Sequence, residues 1–127
     1  TDAGVAFIVD DMDNSATDIT TLNFHGVGTG GTAEAAANTA LVTESTTALN
    51  PDSTRATGTK TQPSANILRS VGTVTFDGSA AITEHGIFSQ AATGGGTLLG
   101  RSLFSAINVA AADSIQFTYD LTFTSGG

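Results

Sequence analysis

The feature that most limits the fold of this chain is a strict alternation of side chains near its end. In SIQFTYDLTFTS, residues 114–125, apolar side chains stand at every odd position from 115 to 123, and polar ones stand between them. A period of two is typical of a β-strand with one face in a core and the other in solvent. Such a strand needs neighbours, so the chain must build at least one sheet.

Further runs of apolar and β-branched residues are separated by turn signals such as Asp77-Gly78. They cover residues 4–10, 18–28, 65–79, 81–89, 97–105 and 102–110. Gly72 lies inside one run and indicates a bulge or a close backbone approach. With seven or eight short strands and almost no helix, the sequence predicts an all-β fold, an antiparallel β-sandwich or jelly roll.

The segment from Gly28 to about Thr61, called here the excursion, departs from this pattern because it is rich in Thr, Ala and Gly. TAEAAANTAL, residues 32–41, could form one short helix, since Ala is the best helix former. Long irregular segments inside a domain tend to be functional. We therefore expect one domain, residues 1–127, whose excursion is a long loop or arm that contacts a neighbouring molecule.

The charge balance excludes two classes of partner. The 127 residues carry a net charge of −8, and the basic ones are only Arg55, Lys60, Arg69 and Arg101. Nucleic acids and anionic membranes are bound by clusters of Lys and Arg, so neither partner is expected. The chain has no Cys, which excludes disulfides and thiolate metal sites, and it has no apolar run long enough for a transmembrane helix.

Glu84, His85 and Arg101 are the strongest candidates for chemistry. Adjacent residues of a strand point to opposite faces, so Glu84 and His85 cannot form an acid–base dyad on a regular strand. By parity, Glu84 shares a face with Ile82 and Phe88, and His85 shares one with Thr83 and Ile87. We expect a hairpin in which Glu84 or His85 pairs with Arg101 on the adjoining strand.

Two glycine-rich tracts, residues 26–31 and 94–96, do not fit phosphate-binding motifs. A P-loop ends in Gly-Lys-Ser/Thr, and a dinucleotide fingerprint needs a strand, a turn and a helix. Both tracts are interpreted as turns whose glycines adopt positive φ.

The acidic stretch with Asp10, Asp11, Asp13 and Asp18 leaves two alternatives open, a solvated loop or an unclassified Ca²⁺ site. His25 and His85 could meet in space, but there is no Cys and no third His for a usual zinc site. No G-x-S-x-G elbow marks a nucleophilic serine. We therefore assign no catalytic, cofactor-binding or metal-binding residues and expect a protein that is not an enzyme.

Three motifs carry a resemblance. They are ITEHGIF at residues 82–88, RSLFSAINV at 101–109 and DSIQFTYDLTF at 113–123, with a glycine-rich hairpin between the first two. With the tract from Gly28 to about residue 47, they cover most of the chain. In this order they resemble small structural proteins of tailed bacteriophages and prophages.

The resemblance implies a virion component without enzymatic activity, most similar to a capsid decoration (cement) protein. Such a protein is β-rich, often a homotrimer, and lies on the capsid surface, where it binds the major capsid protein lattice and stabilises the head. The excursion would be the arm that contacts neighbouring subunits. The alternative is a tail, fibre or neck component that binds a host-surface glycan or other virion proteins.

Overall fold

The computed structural model describes residues 1–13 and 17–126, and in these residues seven β-strands form two antiparallel sheets. A helix, α1 (Asp2–Asp13), and a 3₁₀ turn (Ile19–Thr21) come before the strands. The strands are β1 (Phe24–Gly28), β2 (Ala56–Thr57), β3 (Thr59–Ser64), β4 (Ile67–Thr75), β5 (Ala80–Phe88), β6 (Leu98–Val109) and β7 (Ser114–Thr122).

One sheet has the order β2-β1-β5-β6 and the other has the order β3-β4-β7. The register of β4 with β7 runs without interruption from Ile67–Thr122 to Thr75–Ser114. β5 and β6 form the hairpin predicted across the glycine-rich loop. The structure is therefore mostly β with two antiparallel sheets, which is compatible with the predicted all-β sandwich.

The main core lies between the two sheets, where apolar side chains of both meet. Val27 and Ile82 of the four-stranded sheet pack with Val74 of the three-stranded sheet and with Phe76, and all four are at most 3% exposed. Burying one such side chain contributes about 1.5–3 kcal/mol. The alternation that predicted β7 is confirmed from 115 to 121, where odd-numbered residues are half-buried and even-numbered ones are exposed, but Phe123 lies beyond the strand and is exposed.

The strand predicted for residues 4–10 is wrong, since these residues lie within α1. Helical spacing places Phe7 and Ile8 against Leu22 and Leu99. Gly4 lies so close to β6 that an added Cβ would be 2.8 Å from the Cα of Leu99. This packing favours a helix over a strand. The apolar pattern of residues 4–10 alone cannot distinguish the two, because the run is short. No described helix has the length and apolar character that crossing a bilayer requires.

The helix considered for residues 32–41 does not form. The excursion does not project from the domain, because it lies across the outer face of the four-stranded sheet. Leu41 packs there against Phe88 and Leu98. The excursion also ends earlier than expected, since β3 begins at Thr59.

Gly72 of β4 provides a test of the contact between the sheets. A Cβ at this position would lie 2.6 Å from Cγ of His25 in the facing sheet, while Gly31 has open space around it. We expect Gly72→Ala to lower the free energy of unfolding by about 1–3 kcal/mol, because the buried ring must move. The control Gly31→Ala should change it by less than about 0.5 kcal/mol. Chemical denaturation of both variants measures the difference, and equal stabilities would contradict the close approach.

Candidate functional site: a buried ionic layer beneath the excursion

The centre of the candidate site is an ion pair between Glu84 of β5 and Arg101 of β6. The Nε atom of Arg101 lies 2.8 Å from Oε2 of Glu84, and the two side chains are 1% and 0% exposed. The strand register brings them together, because Arg101 stands opposite Gly86. The predicted pairing of Arg101 with Glu84 or His85 is thus confirmed, and Glu84 is the partner.

The carboxylate of Glu84 is surrounded by backbone donors from the excursion. Its Oε1 atom accepts hydrogen bonds from the N–H groups of Gly30 (3.0 Å) and Thr43 (2.8 Å), and its Oε2 atom accepts one from Val42 (3.0 Å). Burial opposes ionisation, but these donors and Arg101 outweigh it and hold the pKa of Glu84 below its usual value. Glu84 is therefore a buried anion that fastens the excursion at two points.

The two terminal nitrogens of the Arg101 guanidinium also donate hydrogen bonds to the excursion. Its Nη2 atom donates to the carbonyl oxygen of Thr32 (2.8 Å), and Nη1 donates to Ala33 O (3.4 Å) and to Asn38 Oδ1 (3.3 Å). Two of these bonds occupy carbonyl oxygens that would accept backbone hydrogen bonds in a helix over residues 32–41. The hydrogen bonds from Arg101 therefore outweigh the helix propensity of the alanines in this segment.

A second ion pair, which the sequence analysis missed, joins the excursion to the β5–β6 loop. Arg55 donates from Nε to Oε1 of Glu44 (2.6 Å) and from Nη2 to Oε2 (3.0 Å). Its Nη1 atom donates to the carbonyls of Gln90 and Gly95, both at 2.8 Å. The guanidinium carbon lies 3.5 Å from the ring centroid of Phe88. Arg55 stands in a polar segment, so only the scarcity of basic residues could have drawn attention to it.

The assignment of Glu84 and Ile82 to one face is wrong, because the β5–β6 register shifts between these residues. Ile82 packs in the core between the sheets, as does His85, which stacks on the Phe117 ring at a centroid distance of 4.3 Å. Glu84 points to the opposite face, towards the excursion. A β-bulge changes the alternation locally, and parity counting cannot anticipate it. The exclusion of a Glu84–His85 dyad still holds.

The two histidines do meet, within the core between the sheets. Nδ1 of His25 lies 2.9 Å from Nε2 of His85, and Nε2 of His25 lies 2.8 Å from Oγ of Ser70. The Ser70 hydroxyl donates to Oδ1 of Asn23 (2.7 Å), and the Asn23 amide donates to Gly58 O (2.6 Å). Because the Ser70 hydroxyl donates to Asn23, its oxygen must accept from Nε2 of His25, which leaves Nδ1 of His25 to accept from Nε2 of His85. The network therefore assigns the ring proton to Nε2 in both histidines. One polar chain therefore links the two sheets, and sequence reasoning missed its Ser70 and Asn23 members.

The contact between Ser70 and His25 has the spacing of a nucleophile and its base. However, Ser70 is only 4% exposed and His25 is 0% exposed. The Ser70 hydroxyl proton is directed to Asn23, and the Gly58 backbone lies against the Ser70 oxygen. The arrangement therefore stabilises the contact between the sheets and offers no approach for a substrate.

Burial lowers the pKa of His25 to about 4. Burial first, and then the charge of His25, lower the pKa of His85 to about 3. Both rings are consequently neutral at pH 7.

The two glycine tracts have different roles. Gly94 and Gly96 have φ values of 79° and 78°, so the turn predicted there is confirmed. The tract at 26–31 does not use positive φ, which corrects the prediction. A Cβ at Gly28 would lie 2.5 Å from Oε1 of Glu84, and one at Gly30 would lie 2.6 Å from it. These glycines are required for close approach to the buried carboxylate.

The acidic residues at positions 10–18 lie in different elements. Asp10 and Asp13 are exposed on α1, and Asp18 accepts hydrogen bonds from Thr20 at the start of the 3₁₀ turn. Residues 14–16 of this stretch lie outside the described residues. Across residues 1–13 and 17–126, no three His, Asp or Glu side chains converge as a metal site would require.

Comparison with known protein families, with curated proteins and with solved structures found no match.

We expect Glu84→Gln to lower the free energy of unfolding by about 3–5 kcal/mol, because Arg101 would remain buried without its counter-charge. Asp120→Asn is the matched control, since the Asp120–Arg69 pair has the same 2.8 Å contact but side chains that are 36% and 39% exposed. Exposed pairs contribute little to stability. Urea unfolding at pH 7 compares the variants, and a similar small effect for both would show that burial of the Glu84 pair is unimportant.

The histidine pair predicts a specific pH dependence. In the unfolded chain a histidine has a pKa near 6.5, so protons bind the unfolded state first as the pH falls. Stability should be constant above pH 7 and should decline towards pH 5, with a slope approaching roughly 2.7 kcal/mol per pH unit for two protons.

The chain has only two histidines, so His25→Gln and His85→Gln should each roughly halve this slope, and the double variant should remove it. Urea titrations between pH 7.5 and 5 measure the slope. A wild-type slope that persists in the double variant would assign the pH dependence to other groups.

Proposed function

We propose that this protein is a non-enzymatic structural protein of a phage virion, a capsid decoration protein that binds the assembled lattice of the major capsid protein. The observation that carries the proposal is the rigid attachment of the excursion to the outer face of the four-stranded sheet. One continuously exposed stretch of it, residues 31–37, is called here the small-residue loop and consists of Gly, Thr, Ala and one Glu.

The small-residue loop is preorganised for binding. Arg101 holds its carbonyls at Thr32 and Ala33, and Glu34 accepts a hydrogen bond from the N–H of Leu103. A surface that is already ordered loses little conformational entropy when it docks. The loop's small side chains allow the backbone of a partner to approach closely.

The charge of the chain supports an outer position on a capsid. At a net charge of −8, the protein is repelled by packaged DNA and is suited to a surface that faces solvent. A ligand that binds only the assembled lattice stabilises that lattice, and many copies add their effects. The buried ionic layer supports the same role, because it keeps the binding surface in one conformation. The jelly-roll connectivity belongs to this proposal as an implication of the phage resemblance. The homotrimer that the resemblance also implies does not, because the open edge of β7 favours a two-fold pair of chains.

One observation favours the alternative of a tail or fibre component that binds a glycan. A groove of about 340 Å³ opens between α1, the 3₁₀ turn and the three-stranded sheet, and Tyr119 and Phe123 are among its lining residues. Aromatic side chains offer apolar faces to which sugar rings can bind. Most of the lining is aliphatic, however, and its polar residues Thr20, Lys60 and Ser70 already form hydrogen bonds within the fold, so they are poorly placed to orient a sugar.

The test uses phage particles that lack this protein. Adding the purified protein should restore binding at a fixed number of copies per particle and should raise the temperature at which the particles release DNA. Isolated capsid protein subunits should not bind it, because the site would form only in the lattice. Unchanged heat resistance, or binding at the tail in electron micrographs of labelled particles, would overturn the decoration role.

The contribution of the small-residue loop is tested separately. Ala36→Arg places a large charged side chain at an exposed position of the loop, and Ala106→Arg is the control at an exposed position of β6. If the loop docks on the lattice, Ala36→Arg should weaken binding at least about tenfold, since a buried unpaired charge is costly. Equal binding of both variants would locate the contact elsewhere.

A further inference from the structure

Three of the four sheet edges in the described part of the chain are protected, β6 over its first half, against pairing with another strand. β2 has only two residues, and β3 carries Lys60, Pro63 and a register irregularity between Thr61 and Ser64. On the first half of β6, the carbonyl of Leu99 accepts a hydrogen bond from Thr1 N (2.7 Å), and the N–H of Leu103 donates to Glu34. Short length, Lys, Pro and bulges are the devices by which natural proteins block exposed edges.

The fourth edge, β7, has none of these devices. It runs for nine residues without Pro, Lys or a register shift, and within the described part of the chain it pairs with β4 only. Its single charged residue, Asp120, already accepts hydrogen bonds from Nε and Nη2 of Arg69, both at 2.8 Å. β7 is therefore a long, regular and nearly uncharged edge.

The hydrogen-bond pattern identifies which backbone groups of β7 point outward. Phe123 N donates to Asn66 O, and Phe76 N donates to Asp113 O, both at 2.9 Å. In an antiparallel pair, alternate residues bond to the partner strand, so the odd-numbered residues of β7 face β4. The even-numbered residues from Ser114 to Thr122 direct their N–H and C=O groups away from the sheet.

We propose that β7 pairs antiparallel with β7 of a second copy of this chain, about a two-fold axis at Thr118. The outward groups then join the two three-stranded sheets into one sheet of six strands, with the order β3-β4-β7-β7-β4-β3. Thr118 is the midpoint of Ser114–Thr122, so this register pairs all nine residues of both strands.

The sequence of β7 is self-complementary in this register. On the exposed face, Thr118 lies opposite its own copy, Gln116 lies opposite Asp120, and Ser114 lies opposite Thr122. Thr–Thr pairs are favourable across strands, and the Gln amide can donate to the Asp carboxylate. Centring the axis on Asp120 would instead place two like charges opposite each other.

The inner face is equally complementary. Phe117 lies opposite Tyr119 of the second copy, and Ile115 lies opposite Leu121. These four side chains face the core but are only half-buried in the single chain. Aromatic and aliphatic cross-strand pairs stabilise a sheet, and pairing would cover apolar surface that the single chain leaves open.

The first experiment uses Thr118→Pro and the control Thr118→Val. Proline removes the outward N–H at the two-fold axis without breaking a bond to β4, and valine keeps that N–H. Light scattering during size-exclusion chromatography should show a dimer for the wild type and for Thr118→Val. For Thr118→Pro, the dissociation constant should rise roughly tenfold or more. A wild type that stays monomeric or forms trimers, or a proline variant that dimerises normally, overturns the proposal.

The second experiment remains decisive if the proline variant fails to fold. Amide hydrogen exchange of the wild type is measured by NMR at high and low protein concentration. The outward amides of Gln116, Thr118 and Asp120 should exchange slowly in the dimer and rapidly after dilution, while Phe117 and Tyr119 stay protected in both. Rapid exchange of the outward amides at all concentrations overturns the pairing. The proposal does not depend on a role in a virion, because both readouts use the isolated protein.

Discussion

The ion pair between Glu84 and Arg101 is the interaction on which the rest of the structure depends. Together the two side chains bind five backbone groups of the excursion, and they do so beneath a segment that has almost no regular structure of its own. The pair holds the excursion on the outer face of the four-stranded sheet together with the Leu41 packing and the Arg55–Glu44 pair. A buried ion pair is not a strong source of stability by itself, since desolvation offsets much of the attraction. Its value here is specificity, because the path that the excursion takes satisfies each of these donors and acceptors.

The polar interior has two layers with different chemistry. On the outer side of the four-stranded sheet, charged groups fasten the excursion, while between the sheets a neutral chain runs from His85 through His25 to Ser70. No buried side-chain nitrogen or oxygen among the described residues lacks a hydrogen-bond partner. Every such buried polar group is therefore engaged within the fold itself. This distribution agrees with the proposed structural role.

The regular strands could be predicted from the sequence, and the irregular segments could not. Alternation predicted β7, and turn residues bounded β4 and the β5–β6 hairpin, because these elements follow local rules. The helix at residues 2–13 was missed because tertiary contacts of Phe7 and Ile8 select it over a strand. Arg101 was predicted to pair with its neighbour strand, but the Arg55–Glu44 pair joins two irregular segments, whose path follows no periodic pattern. The register shift beside Glu84 likewise places its side chain on the face opposite to the one that regular alternation predicts.

The spacing of the Glu84 contacts along the chain has a consequence for how the protein folds. The carboxylate binds groups that lie 41 to 54 positions earlier in the sequence, and Arg101 reaches groups 63 to 69 positions earlier. Such contacts form only after long loops have closed, and their entropy cost precedes any gain from the ion pair. Sheets dominated by distant pairings fold in milliseconds to seconds, whereas helical bundles fold in microseconds. We therefore expect the excursion to dock late, after β5 and β6 have formed the hairpin that presents both charges.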